Sequence, residues 1–517
     1  MQDVNTTDIV DAIRLGCRTM YRLFNADDND IPFFDIEALP NARMSFSWAH
    51  SEAQVPGRFL NALLNAEDAA GIPVEDAAID KITRAAFFAY GGAVPLPINR
   101  QEIGGPLVNF LPTQIREGFH ALYALVKFRG SERARELAEA SIATVFQFWD
   151  PADGWDYPRL EREHGLSIHK PSSFLNGLGR SIGPLVKYFR ATGYGPALDL
   201  AVVLKEKAVD EYFTDTGAFQ AAHGFHGHST TCVMSSLAQL ADLTSDSNLL
   251  GRVKAFYDNG LWEIRDEIGW SIETTNPSPN HGRGEANNTG DILETALILG
   301  RWGHSQYYHD AERILRCHLL PSQLRDVSFI TEPPNPENDD GKRDVANRIV
   351  GSFGLPAPYG HYPIGVAGVK FNSDIVGGAV GSLCEAYREA ARHDVAGHWV
   401  NLLVDHETPH ISVRSPYTNP RLSIVLKRPG PLFVRLPPWV NPSTVEVAGA
   451  AEPRRTNGYL FFPQPPISRA IDIAYPLAEQ ELRLKNPAGA IRVRLRGDTV
   501  TAMDNLGADL TFFDPID

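Results

Sequence analysis

The chain has 517 residues, 43 % of them hydrophobic and 21 % charged, with a formal net charge of −15. That length allows roughly two to four domains and a large buried core. With 48 Lys and Arg against 63 Asp and Glu, no cationic surplus is left to neutralise phosphates. The balance therefore excludes a nucleic-acid footprint and argues against an anionic membrane surface. The first residues, Met1 to Asp8, show neither a basic nor an apolar leader segment, and no apolar run is long enough to span a bilayer. A cytoplasmic protein is expected, with no membrane partner. Cys17, Cys232, Cys317 and Cys384 lie apart in apolar surroundings without a CxxC pair, which reads as reduced structural thiols.

Up to about residue 400 the chain reads as amphipathic helices joined by polar turns. In chain order they cover 8–24, 57–68, 73–89, 113–127, 131–148, 175–192, 195–212, 229–244, 248–257, 291–302, 307–319 and 377–391. They come in hairpins with a repeat of roughly fifty residues, too long for the short solenoid repeats. About six hairpins fit, which predicts an (α/α)6 toroid over residues 1–400. The loops between hairpins (149–173, 214–227, 269–291 and 328–374) are long and rich in aromatics, His and Gly. In a closed ring they gather at one mouth, whereas a superhelical binding scaffold would keep its loops short and regular.

Past residue 400 the pattern changes to period-two alternation. It covers 410–414, 422–427, 432–436, 445–447, 459–462, 470–474, 481–484 and 491–495. This predicts a small antiparallel β-sandwich over residues 401–517, with the boundary near His398–His410.

The richest chemistry lies in Gly282-Arg-Gly-Glu285-Ala-Asn287-Asn288-Thr-Gly-Asp291, where a polar loop enters a helix. The loop before it carries Glu273, Asn276, Asn280 and His281. Glu273 and Glu285 belong to a segment that must turn back on itself, and paired carboxylates on a supported loop suit glycoside chemistry. A competing reading makes Glu285 a helix-start carboxylate stabilised by the N-terminal dipole. Trp155 and Tyr157 read as a sugar-stacking platform or as a turn pinned by buried aromatics. His226 and His228 read as partners of substrate hydroxyls, since no third ligand stands at metal spacing, with Ser229 as the N-cap of the next helix. Trp48 falls in an N-terminal loop that would help wall the mouth, and His361 and Asp374 fall in the last long loop; taken singly, each reads as scaffold rather than chemistry. No phosphate-cradling Gly loop with Lys occurs.

An ordered series of short stretches resembles glycoside hydrolase family 127 and its relatives, the β-L-arabinofuranosidase group. They are Val55-Pro-Gly-Arg-Phe, Asp153-Gly-Trp, Leu185–Gly193, Gly227-His228-Ser-Thr, Glu285-Ala-Asn287-Asn-Thr, Gly377–Leu383 followed by His398–Leu403, and Leu432-Phe-Val-Arg-Leu-Pro-Pro-Trp439. The resemblance implies a toroid followed by a sandwich. It also implies a zinc site of one Glu and three Cys, one Cys being the nucleophile. Here the matching positions hold Glu285, Asn287, Gly377 and Gly378. A zinc–thiolate site cannot be built from them, so no metal or other cofactor is expected.

The expected function is hydrolysis of an oligosaccharide or glycoside. Glu273 and Glu285 would be its acid and base, with Glu273 preferred as the acid. His226, His228, Trp155, Tyr157, Arg180, Asn287, His361 and Trp48 would contact the sugar. A lyase on the same ring is the alternative, with His228 or Tyr359 as base and Arg180 or Arg283 on a uronate. A non-catalytic carbohydrate-binding protein is the third reading.

Overall fold

The computed structural model describes residues 4–276, 282–334, 339–366, 368–486 and 489–516. Six helices form an inner ring: Val55–Ala70, Ile115–Arg129, Ile182–Thr192, Gly227–Thr244, Ala286–Arg301 and Ser373–Ala390. Each packs against the next, and the last closes on the first. The inner helices are buried nearly all round, as positions 55–66 and 115–126 show. Six outer helices back them: Ile9–Met20, Asp76–Ala89, Glu132–Phe148, Gly195–Glu211, Ser247–Asp258 and Gln306–Ile314. This is the (α/α)6 toroid that the hairpin period predicts.

Local chemistry sets the helix ends. Asp8, Ser131 and Asp246 accept N–H bonds from the first turns of their helices. Gly71, Gly130 and Gly193 end helices in the left-handed conformation that a Cβ disfavours. The inner helices begin at one mouth of the ring. Their far ends, with Lys127, Arg190, Asp242, Arg301 and Arg388, surround the other. No helix among the described residues is long and apolar enough to cross a membrane.

Two five-stranded sheets form the sandwich. One runs Ala391–Asp394, Gly397–Val400, Leu432–Arg435, Tyr459–Phe462, Arg454–Thr456. The other runs His406–Glu407, Ile411–Arg414, Leu422–Leu426, Ala470–Ala474, Glu446–Ala448. Val400, Val413, Ile424, Val434, Leu460 and Ile473 fill a core of its own. The first two strands precede residue 401, so the sandwich starts directly at the end of the last inner helix. The strands expected at 481–484 and 491–495 exist but belong elsewhere. They sit in a three-stranded sheet, Glu479–Asn486, Gly489–Arg496 and Thr499–Met503, whose Leu484, Ile491, Val493 and Val500 join the helical core.

Candidate active site

Three chain segments knit together at the mouth where the inner helices begin. Ile272 and Gly284 form an antiparallel bridge, and Glu273 N–H donates to Arg283 O (2.8 Å) and Glu285 N–H to Ser271 O (3.1 Å). His226 pairs with Thr274, and Gly227 N–H donates to Glu273 O (2.8 Å). Glu273 and Glu285 are thus diagonal neighbours on one face of the ladder, where residues stand ~7–8 Å apart. Asn280 and His281 lie outside the described residues.

Glu285 occupies the N-cap position of its helix, yet its carboxylate makes no capping bond. It accepts from Asn287 Nδ2 (2.8 Å) and lies 3.3 Å from His228 Nδ1. It is 6 % exposed. Burial, reinforced by the charges of Glu273 and Asp374, pushes its pKa up to about 8 against the pull of Asn287 and Arg180. Glu273 is only half-buried; burial raises its pKa as well, opposed by Arg283. Glu285 is therefore the drier of the pair, the reverse of the preference for Glu273 as the acid.

Asp374 is brought in from the first turn of the Ser373–Ala390 helix, where it is buried and accepts from Gln54 Nε2 at 2.6 Å. Burial raises its pKa, and Arg58 and Gln54 oppose the rise. Under the carboxylates lies a network that the helix pattern hides. Glu117, despite burial, is held below the usual carboxylate range by Arg116 (2.8 Å), Arg58 (3.1 Å) and Arg180 (3.8 Å). The available signal was an Arg116–Glu117 pair inside a helix that is otherwise core.

His228 stands at the centre. Arg180 lies 3.1 Å and Glu285 Oε1 3.3 Å from Nδ1, and Arg58 lies 3.3 Å and Asp291 Oδ2 3.5 Å from Nε2. Burial and the guanidinium groups of Arg180, Arg58 and Arg116 hold its pKa far below the ordinary value, so the ring is neutral. His226, not Ser229, caps the Gly227–Thr244 helix, its Nδ1 accepting from the Ser229 N–H (3.3 Å). Burial lowers its pKa to about 3.

The remaining expected residues are spread around this centre. Trp48 is 44 % exposed and tilts against the His169 ring at 4.6 Å. Trp155 is buried edge-on to Phe110 at 5.4 Å, and Tyr157 lies under the Lys170 ammonium, so the two do not make one open platform. His361 packs edge-on to Phe512 at 4.9 Å, and burial lowers its pKa to about 4. Arg180 is buried against His228, and Asn287 beside Glu285.

The residues do not fit a zinc–thiolate centre. A Cβ on Gly378 would lie 1.9 Å from Asn287 Oδ1 and 3.1 Å from an Arg58 guanidinium nitrogen, and one on Gly377 would lie 2.8 Å from the Arg58 backbone. Side chains at 377 and 378 have no room, and Arg58 occupies the space beside them. Donor atoms of His228, Cys232 and Asp291 come within 4.8 Å of one another, but Arg58 and Arg116 already supply positive charge there. We assign no metal to them.

No protein-family model and no curated protein matches the sequence. Solved structures do. A GH127 β-arabinofuranosidase is 15 % identical, with 96 % of this chain and 84 % of that one covered at a TM-score of 0.58. A GH127 β-L-arabinofuranosidase from Geobacillus stearothermophilus T6 is 12 % identical, with 96 % and 86 % covered at a TM-score of 0.59. A third structure, a glycoside hydrolase, is 12 % identical, with 86 % and 76 % covered at 0.54. The likeness is one of fold: a helical ring followed by a β domain.

Proposed function

We propose that the protein is a glycoside hydrolase that works with two carboxylates, Glu285 as the acid and Glu273 as its basic partner. The observation that carries this reading is the contrast between a buried Glu285, raised to about 8, and a half-buried Glu273 on the same face of one ladder. At neutral pH Glu285 holds a proton for the leaving glycosidic oxygen. Glu273, closer to solvent, supplies the carboxylate for the reacting carbon or its water. Two carboxyls with separated environments divide acid from base work in this way. His226 and Trp48 are the proposed sugar contacts at the mouth.

The reading does without a cysteine nucleophile. Cys17, Cys232, Cys317 and Cys384 are all buried, and burial raises every thiol, Cys17 to about 12, so none is a thiolate at neutral pH. The lyase reading is less well supported. The Tyr359 hydroxyl is buried and accepts from Ile364 N–H (3.0 Å), with its pKa raised, and both nitrogens of His228 are engaged.

The fold likeness makes arabinofuranosides the first compounds to test, followed by a panel of aryl glycosides. Glu285→Gln should lower turnover on any substrate found by about 10²–10⁴-fold with the fold retained. Near-normal turnover would remove Glu285 from the acid role.

A further inference from the structure

The terminal sheet has one face that is basic in a chain of net charge −15. Glu479–Asn486 pairs with Gly489–Arg496, and that strand pairs with Thr499–Met503. Successive side chains of a strand face opposite sides of its sheet. Leu484, Ile491, Val493, Leu495 and Val500 belong to the helical core. The opposite face therefore carries Arg483 and Lys485 on one strand and Arg492, Arg494 and Arg496 on the next. Glu479 and Glu481 are the only acids of these two strands.

Two features separate this face from one that is merely solvated. Arg483 lies directly opposite Arg492, and like charges so placed destabilise a sheet. Nor do the acids satisfy the arginines. Arg492 is bound by Asp504 (3.0 Å), but exposed Arg483 reaches Glu481 only at 3.9 Å. Arg494 and Arg496 stand opposite Glu481 and Glu479, yet neither makes an ion pair among the described residues, and Arg496 Nε is buried without a hydrogen-bond partner. A cleft of about 490 Å³ opens beside these two arginines and Thr501.

The spacing selects the ligand. Arg492, Arg494 and Arg496 follow one another at ~7 Å and together span ~14 Å. One small anion cannot reach all three, whereas a polymer with repeated anionic groups can. A guanidinium fork matches a carboxylate through two parallel N–H bonds. The sheet is also tied to the mouth of the ring. The chain beyond its last strand reaches Phe512, whose N–H donates to Tyr359 O (2.8 Å), and His361 N–H donates to Leu510 O (3.2 Å). Pro356 O, in the same loop, accepts from Gly284 N–H (2.7 Å), next to Glu285.

We propose that the basic face of the terminal sheet docks an acidic polysaccharide, a polyuronate, whose carboxylates pair with Arg483, Arg494 and Arg496 and whose chain is thereby held for the ring. This rests on the carbohydrate reading of the mouth and adds a substrate class to it. Native electrophoresis of the full-length protein through gels containing polygalacturonate, against gels containing dextran, tests the docking. The wild type should be retarded by polygalacturonate alone, and less so as salt is raised. The double variant Arg483→Glu/Arg494→Glu should need about tenfold more polymer for the same retardation. Should its thermal midpoint fall, Arg483→Gln/Arg494→Gln takes its place. Equal mobility in the two gels, or retardation that the variant keeps, overturns the proposal. Retardation as strong in gels containing duplex DNA overturns it too, since the face would then answer to any polyanion. Turnover of small aryl glycosides, which do not reach the sheet, separates the two levels. Intact turnover without retardation sinks the docking surface alone; retardation without turnover of any aryl glycoside sinks the hydrolase reading and leaves the docking surface standing.

Discussion

Glu285 combines a carboxylate's chemistry with an environment that disfavours its charge. Its ordinary pKa of 4.5 rises to about 8 in the folded chain, first through burial and then through Glu273 and Asp374. Between those values the folded state holds a proton that the unfolded chain releases. Stability therefore falls as pH rises through that window and levels off above about 8. Glu285→Gln removes the ionisable group. Its thermal midpoint should gain on the wild type progressively from about pH 5 to about pH 8, and an advantage that stays flat with pH would show that the carboxyl is not dry. Under the proposed acid role the same ionisation governs activity. Turnover should decline as pH rises through about 8, where the acid loses its proton, and a rate still rising across that range would contradict the assignment.

The segment from 269 to 291 shows how far local pattern carries at the scale of elements. Apolar spacing places the helix start at Asp291, but the helix begins at Ala286. The added turn is polar, and polar residues at a helix start read as loop. Their partners lie far away in sequence: Asn288 Nδ2 donates to Ile272 O (3.0 Å) and the Thr289 hydroxyl to Gly269 O (2.8 Å). These side chains tie the first turn to the returning ladder. The start of the Gly227–Thr244 helix comes equally close, since a Cβ on Gly227 would lie 2.2 Å from Ile272 O. Gly227→Ala should push the ladder apart and destabilise the fold by about 1–3 kcal/mol. Chemical denaturation measures this, and an unchanged midpoint would mean that the mouth is more pliant than its packing implies.

The outer helix Gln306–Ile314 and the residues just after it carry a cluster of polar contacts between the ring and the β domain. Glu312 of Gln306–Ile314 pairs with Arg435 of the sandwich and accepts from Leu403 N–H (3.1 Å). His309 (2.9 Å) and Arg313 (3.1 Å) bind Asp498, which also accepts from Trp439 Nε1 (2.9 Å). Asp498 lies in the tight turn of the terminal sheet and is fully buried. Despite that burial, His309 and Arg313 hold its carboxyl well below the usual range. A depressed carboxylate contributes stability above its unfolded pKa near 4, and that contribution is lost as pH falls. Asp498→Asn should lower stability at neutral pH by about 3–5 kcal/mol, with the difference from wild type narrowing in acid. Denaturation at both pH values checks it, and an equal midpoint at neutral pH would mean that the joint is held by apolar contact alone.

Period, turn residues and alternation are properties of neighbouring residues, so the sequence by itself determined the helical hairpins, the change to strands near residue 400, and a carboxylate-bearing loop that folds back. It also marked the stretch around Glu285 as the part of the chain richest in ionisable and amide side chains, and it holds no thiol at positions 287, 377 and 378. Proximity across the ring depends on the closure of six helices, and only the tertiary structure decided it. Arg58, Glu117, His228, Asp291 and Asp374 come from five different inner helices; Arg58 and Glu117 alone read as helix residues, Asp374 as loop scaffold, and nothing local in any of them says that the five meet. Which carboxylate is dry was likewise a matter of burial by distant segments, and this reversed the preference between Glu273 and Glu285. The terminal strands show the same limit: their alternation marked them as strands, but which core they would cover depended on the surface left open by the ring.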